Sequence, residues 1–156
     1  MKRKCSAEVV VQVTPEEVWA LVADVTRVGE WSGECRGCSW VEGSQRAAPG
    51  ARFRGRNRRG GFRWTRLNEI VRADGPRELV WRTIPSGIYT DSVEWRIRIE
   101  PQDGSTRVGE AFEIVKLARP LEWFLWVAAP WHRDRSDDLV EDLLRLKAVV
   151  EQAPLQ

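Results

Sequence analysis

The sequence predicts an α+β fold, in which a curved antiparallel sheet of about seven strands is wrapped on a long C-terminal helix, with two short helices after the first strand. Three observations lead there. Extended segments follow one another through Gly, Pro and Asp turn residues. A helix-capping signal comes directly after the first of them. The last third of the chain changes to a helical period. One sheet with one long helix cannot close a two-sided sandwich, so the helix must cover the concave side of a bent sheet. Such an arrangement leaves a hollow, and the two short helices close one end of it.

In chain order, Cys5, Ala7, Val9, Val11 and Val13 share one face of a strand with one buried side. Thr14-Pro15-Glu16-Glu17 ends it. Thr14 caps a helix, Pro15 suits the first helical position, and Glu17 completes a capping box. Val18, Trp19, Leu21 and Val22 form that helix's apolar face. Asp24 caps a second short helix, which Gly29 ends. Residues 38–42 read as a short strand and 43–50 as a loop turning at Pro49-Gly50. Strands 52–58 and 63–73 are joined by Arg59-Gly60-Gly61, and strand 78–84 follows the Asp74-Gly75-Pro76 turn. Strand 89–100 places Val93, Trp95, Ile97 and Ile99 on one face. Gln102-Asp103-Gly104-Ser105 then turns the chain into strand 106–116. Pro120 opens a helical region in which Leu121, Phe124, Leu125 and Ala128 recur, and Pro130 must bend or interrupt it. Beyond it Leu139, Leu143, Leu146 and Val150 form an apolar stripe, widened by Val140 and Leu144. Asp137, Asp138, Glu141, Asp142, Arg145 and Lys147 cover the rest. Residues 1–152 are expected to form a single domain and 153–156 a frayed tail.

A chain of 156 residues can bury enough surface to fold without disulfides or metal. The formal net charge of +2 calls for neither nucleic acid nor an anionic membrane. Tryptophan is unusually frequent, with 9 beside 4 Phe and 1 Tyr. Each such ring can bury about 150–250 Å², so together they can fill a core or line a cavity. The odd number of cysteines suits a reducing compartment. The basic start has no apolar run behind it, and the longest apolar run, 123–131, is too short to span a bilayer. A cytoplasmic protein without membrane insertion, monomeric or homodimeric, is expected.

Several stretches carry a family likeness. They are Thr14-Pro15-Glu16-Glu17-Val18-Trp19, Asp24-Val25 leading to Glu30-Trp31-Ser32, Pro49-Gly50-Ala51-Arg52-Phe53, and the hairpin Gly55-Arg56-Asn57-Arg58-Arg59-Gly60-Gly61. Val93-Glu94-Trp95, Asp103-Gly104-Ser105-Thr106-Arg107-Val108 and Leu143-Leu144-Arg145-Leu146-Lys147 complete the set. In this order, over about residues 4–150, they resemble the START-like, or birch-pollen-allergen-like, helix-grip superfamily (SRPBCC). Within it the likeness is to the bacterial polyketide cyclase/dehydrase and lipid-transport branch. The resemblance implies a helix-grip fold whose hollow takes a small hydrophobic, lipid-like or polyketide-like molecule. It implies no universal catalytic residue, so none is assigned from it, and no cofactor is expected.

The candidate residues each have two readings. Trp31, Trp64, Trp81 and Trp95 lie on or beside strands, and Trp123, Trp126 and Trp131 lie on the helical segment. They line a cavity for a flat or lipid-like molecule, or they simply fill the interior. Trp64, Trp81, Trp95, Phe112, Trp123, Trp131, Leu139 and Leu143 are the expected ligand-binding set. Glu110 shares the inward face of its strand with Thr106, Val108, Phe112 and Ile114. A carboxyl among apolar groups can serve as acid or base, and it can equally belong to a structural ion pair. His132 falls on the stripe that continues to Leu143, which makes it a weak candidate for a general base. Its place just after Pro130 also suits a surface or capping histidine. Cys35-Arg36-Gly37-Cys38 lacks the strand-to-helix setting of a redox CxxC. A zinc site would need two further ligands, for which only Cys5 and His132 remain, so neither metal nor redox use is expected. Arg52, Arg54, Arg56, Arg58, Arg59, Arg63 and Arg66 form a basic hairpin, read as a solvated outer face rather than a nucleic-acid site.

The expected function is binding of a small hydrophobic or aromatic molecule between helix and sheet. The alternative is an aromatase/cyclase-type enzyme acting on a polyketide-like substrate, with Glu110 or His132 moving protons. A basic-hairpin nucleic-acid module ranks last, and no nucleic acid partner is expected.

Overall fold

A computed structural model describes residues 1–152, and the expected frayed tail lies outside the described residues. The elements are β1 (Lys4–Val11), α1 (Pro15–Val22), a 3-10 helix (Val25–Glu30), β2 (Cys35–Val41), β3 (Arg52–Arg59), β4 (Phe62–Asp74), β5 (Glu78–Thr83), β6 (Ser92–Gln102), β7 (Ser105–Lys116), α2 (Arg119–Ala128), a 3-10 turn (Pro130–His132) and α3 (Ser136–Glu151). All seven strands form one antiparallel sheet in the order β1-β7-β6-β5-β4-β3-β2. The chain therefore meanders from β2 to β7, and β1 pairs with the end of that meander.

Local chemistry fixes the ends of the helices. The Thr14 side chain accepts from the Glu17 amide, and the Glu17 carboxylate accepts from the Thr14 amide at 2.8 Å. Asp24 caps the 3-10 helix through the Thr26 amide. Gly75 lies against the Trp19 indole so closely that a Cβ there would collide with the ring. Pro130 splits the C-terminal helical region. Ten residues form α2, a 3-10 turn follows, and the sixteen of α3 run about 24 Å.

α3 packs across β1 and β7, burying Leu139, Leu143, Leu146 and Val150. Val140 and Leu144 do not widen that stripe as expected, and both are about half exposed. The helix is widened on its opposite flank by Asp142, which is buried because its carboxylate accepts from the Gly33 amide at 2.8 Å. The main core joins Val11, Leu21, Val22, Ile70, Leu79, Ile97, Ile99 and Val108 to α3. It lies toward one end of the sheet and leaves the other end, under α2 and the start of α3, less completely filled.

Candidate functional site

The unfilled end contains a cavity of about 140 Å³ between the concave sheet face, the start of α3 and the 3-10 helix. Its floor is aromatic because of strand register. Trp81 stands opposite Trp95 across β5 and β6, and Trp95 opposite Phe112 across β6 and β7. Residues opposed on one face of a sheet are in contact. The two indoles stack at 6.2 Å with their planes 12° apart, and Phe112 meets Trp95 edge-on at 5.0 Å. Phe53 continues the band, edge-on to Trp81 at 6.4 Å. Trp31 closes one end with 2 % of its surface exposed. On the opposite side Trp64 of β4 approaches His132 at 6.4 Å.

Polar groups enter this apolar space at defined points. Glu110 lies in the cavity wall, is 2 % exposed, and its Oε2 has no hydrogen-bond partner. Burial, reinforced by the negative charge of Asp142, raises its pKa well above the ordinary carboxyl range, against a smaller opposing effect of Arg135. Asp142 is itself raised to about 6 by burial, although the Gly33 amide and Arg135 favour its charged form. Burial and the positive charge of Arg135 lower His132 to about 4. Burial thus favours the protonated form of Glu110 and the uncharged form of His132.

Arg135 supplies the fixed cation. Burial disfavours its charge, but Glu34 at 2.9 Å and Asp138 at 3.4 Å outweigh that and raise its pKa further. The guanidinium carbon stands 5.5 Å from the Trp95 ring and 5.6 Å from that of Phe112, so the cation also holds the aromatic floor in place. Arg66 departs from the expected solvated hairpin. It is buried at the cavity wall, donates to both carboxylate oxygens of Asp91 at 3.1 and 2.9 Å, and lies over Tyr89. Position 66 has the inward parity of β4, the face shared by Asn68 and Ile70.

Of the expected ligand-binding residues, Trp64, Trp81, Trp95 and Phe112 line the cavity, and so do Glu110 and His132. Leu139 and Leu143 lie outside its lining, packed in the core. Trp131 sits behind His132 against Phe62. Trp123 points away and is 69 % exposed, because α2 covers the cavity with Leu125 instead. Sequence reasoning missed Arg135, Asp142 and Glu34 as site residues. The signal for Arg135 was its place on the His132–Leu143 stripe, where a cation on an apolar face demands a buried partner.

The outer face of the sheet divides in two. Across β5 and β6, Arg82, Arg96 and Arg98 pair with Glu94 or Glu78. On β3 and β4, Arg54, Arg56, Arg58 and Arg63 are exposed and have no ion-pair partner among the described residues. Among the described residues no group of three His, Cys, Asp or Glu side chains could hold a metal ion. No helix among them is long and apolar enough to cross a membrane.

Comparison with known proteins places this geometry. No curated protein matches the sequence. Solved structures do match. The Zhui aromatase/cyclase from Streptomyces sp. R1128 superposes with a TM-score of 0.72 at 18% identity, covering 96% of this chain and 94% of that one. The Polyketide_cyc-like protein Cgl2372 from Corynebacterium glutamicum has a TM-score of 0.58 at 24% identity, covering 95% and 91%. DynU16, from the dynemicin biosynthetic locus, has a TM-score of 0.63 at 16% identity, covering 97% of this chain and 48% of that one. At these identities the likeness is one of fold. The sequence itself matches the family model described as polyketide cyclase / dehydrase and lipid transport over residues 2–151, and the chain belongs to that family.

Proposed function

We propose that the protein binds a small, flat, largely apolar molecule carrying a carbonyl or hydroxyl oxygen, held in the cavity between the sheet and α3. The observation that carries this reading is the unpartnered carboxyl of Glu110, buried in the aromatic wall. A buried polar atom without a partner is costly, and a ligand oxygen accepting its proton would remove that cost. Volume limits the ligand's size. An apolar cavity of roughly 150 Å³ takes benzene, so the present 140 Å³ suits one or two rings better than an extended lipid or a long poly-ketone chain.

The test pairs α-tetralone with the hydrocarbon tetralin, each titrated against tryptophan fluorescence and checked by native mass spectrometry. The ketone is expected to bind about tenfold more tightly, the value of one hydrogen bond of about 1.4 kcal/mol. Glu110→Met should abolish that preference and leave tetralin binding intact. Failure of both compounds to bind at millimolar concentration would remove the reading.

The same carboxyl favours a second reading, an enzyme of the aromatase/cyclase kind. A protonated Glu110 can give its proton to a ligand carbonyl while an uncharged His132, on the same cavity wall, takes the adjacent C–H proton, which forms the enol that a cyclisation needs. The discriminating measurement is deuterium exchange next to the tetralone carbonyl, followed by NMR. Catalysed exchange that is lost in Glu110→Gln supports the enzyme. Exchange at the solvent rate, with binding retained, leaves a carrier.

A further inference from the structure

Cys35 and Cys38 lie three residues apart on β2, a spacing that should place them on opposite faces of a strand. They are on the same face. The register between β2 and β3 shifts between Cys35 and Gly37, so that Cys35 faces Asn57 and Gly37 faces Arg56. The extra residue, Arg36, forms a β-bulge that turns both cysteines inward. Their sulfurs are 3.2 Å apart, both residues are 8 % exposed, and both line the ligand cavity. This CxxC lies on a strand and not at the helix start of a redox motif, and the bulge that pairs its cysteines leaves no mark in the spacing.

We propose that Cys35 and Cys38 are a redox-active dithiol that reacts with a small organic hydroperoxide entering through the cavity. Shape argues for this oxidant. At 8 % exposure neither sulfur can be reached by the disulfide of another protein, whereas the cavity admits a one-ring molecule. Its aromatic wall favours an organic hydroperoxide over hydrogen peroxide. The two thiols are also unequal. The Cys38 S–H and the Gly37 amide, with Arg56 nearby, lower the pKa of Cys35 despite burial. The hydrogen bond to Cys35, together with burial, raises that of Cys38. With the Gly37 amide beside it and no such donor among the described residues beside Cys38, Cys35 is the attacking sulfur in this proposal and Cys38 the resolving one.

The Cys35 thiolate attacks the terminal oxygen of the hydroperoxide. The O–O bond breaks, the leaving alkoxide takes the proton that Cys35 has lost, and Cys35 becomes a sulfenic acid. The Cys38 sulfur then attacks the Cys35 sulfur. The S–OH bond breaks, and the departing hydroxide leaves as water with the Cys38 proton. Two thiols and one hydroperoxide give one disulfide, one alcohol and one water, and a small dithiol returns the pair to the reduced form.

The test treats the reduced full chain with cumene hydroperoxide, alkylates the remaining thiols under denaturing conditions, and measures the mass. Loss of two of the three alkylatable thiols is expected, reversed by dithiothreitol, with Cys5 as the internal control. Trypsin cuts after Arg36, so the disulfide must join two peptides that separate on reduction. Cys38→Ser should stop at a dimedone-reactive Cys35, and Cys35→Ser should leave Cys38 unreacted. Hydrogen peroxide should react about tenfold more slowly. Retention of all three thiols in the wild type, oxidation of Cys5 as fast as the pair, a reactive Cys38 in Cys35→Ser, or equal rates with the two peroxides would each overturn the proposal.

Discussion

Replacing Glu110 with Gln is expected to change how stability depends on pH, and the sign follows from where the proton sits. Burial and Asp142 raise the folded-state pKa of Glu110 above its ordinary value of 4.5. Between those two values the folded protein keeps a proton that the unfolded chain has released. Stability from this group is complete below the unfolded value and is lost as pH rises toward the folded value. The slope is about 1.4 kcal/mol per pH unit for one proton. In a chain of this length that is roughly 3–6 °C of Tm per unit.

Gln has nearly the same shape and no charge at any pH. Its buried amide can add a constant penalty of about 1–3 kcal/mol for an unmet hydrogen bond, but a constant does not tilt the curve. Asp142, raised to about 6, titrates in both proteins, so the part common to both cancels in the difference. Urea unfolding of wild type and Glu110→Gln at half-unit steps from pH 5 to 8 is the assay. The variant should gain on the wild type by about 1.4 kcal/mol per unit for as long as Glu110 stays protonated in the fold. The gain should level off above that point. Parallel curves across the whole range would show a carboxyl that is ionised or solvated at pH 5 already, and the argument from burial would fail.

Trp95→Ala removes the ring that touches Trp81, Phe112 and Arg135. One side of it borders the cavity, so chemical denaturation should show a loss of about 2 kcal/mol, under the 3–5 kcal/mol of a fully packed core tryptophan. A loss of the full core value would mean that the ring is structural and not a binding surface. Arg135→Met leaves Glu34 without its cation and should cost about 3–5 kcal/mol, most of it recovered in Arg135→Met with Glu34→Gln. Equal melting temperatures for the single and double variants would refute the buried pair. The unpaired arginines of β3 and β4 make at most about four phosphate contacts, so any nucleic-acid binding should weaken roughly 150-fold between 50 and 200 mM salt. A gel shift persisting at the higher salt would reinstate that surface as a functional site.

The parts of the fold that depend on short-range pattern were legible in the sequence. The capping box at Thr14, the interruption at Pro130, and the inward direction of Glu110 and Trp95 all follow from residues within a few positions of each other. The inward turn of Cys35 was not legible, because a bulge adds a residue to one strand without leaving a mark in the alternation. Nor was the burial of Asp142 and Arg66, and that of Arg135 was marked only by its place on the His132–Leu143 stripe. The first two look like solvated charges until a partner distant in sequence is supplied, from Gly33 and Asp91 respectively, and Arg135 finds its partner in Glu34. Trp123 shows the converse error. A helical period says which residues share a face, and only the packing of α2 says that this face is turned outward.

Burial raises the pKa of Glu110, and the charges around the cavity do not undo that. Arg135 could in principle have ionised it, since the two groups are close enough to interact. Its guanidinium is already committed to Glu34 and Asp138, and Asp138 is further held by Arg59 at 2.8 Å. The cation's field is therefore largely spent on other carboxylates, and Asp142 adds negative charge on the same side. A leucine at position 110 would fill this wall with less penalty, because replacing buried polar groups by apolar ones of similar shape is often stabilising. A carboxyl kept beside an aromatic floor gives the cavity what a leucine could not, a polar group whose Oε2 no protein group among the described residues engages.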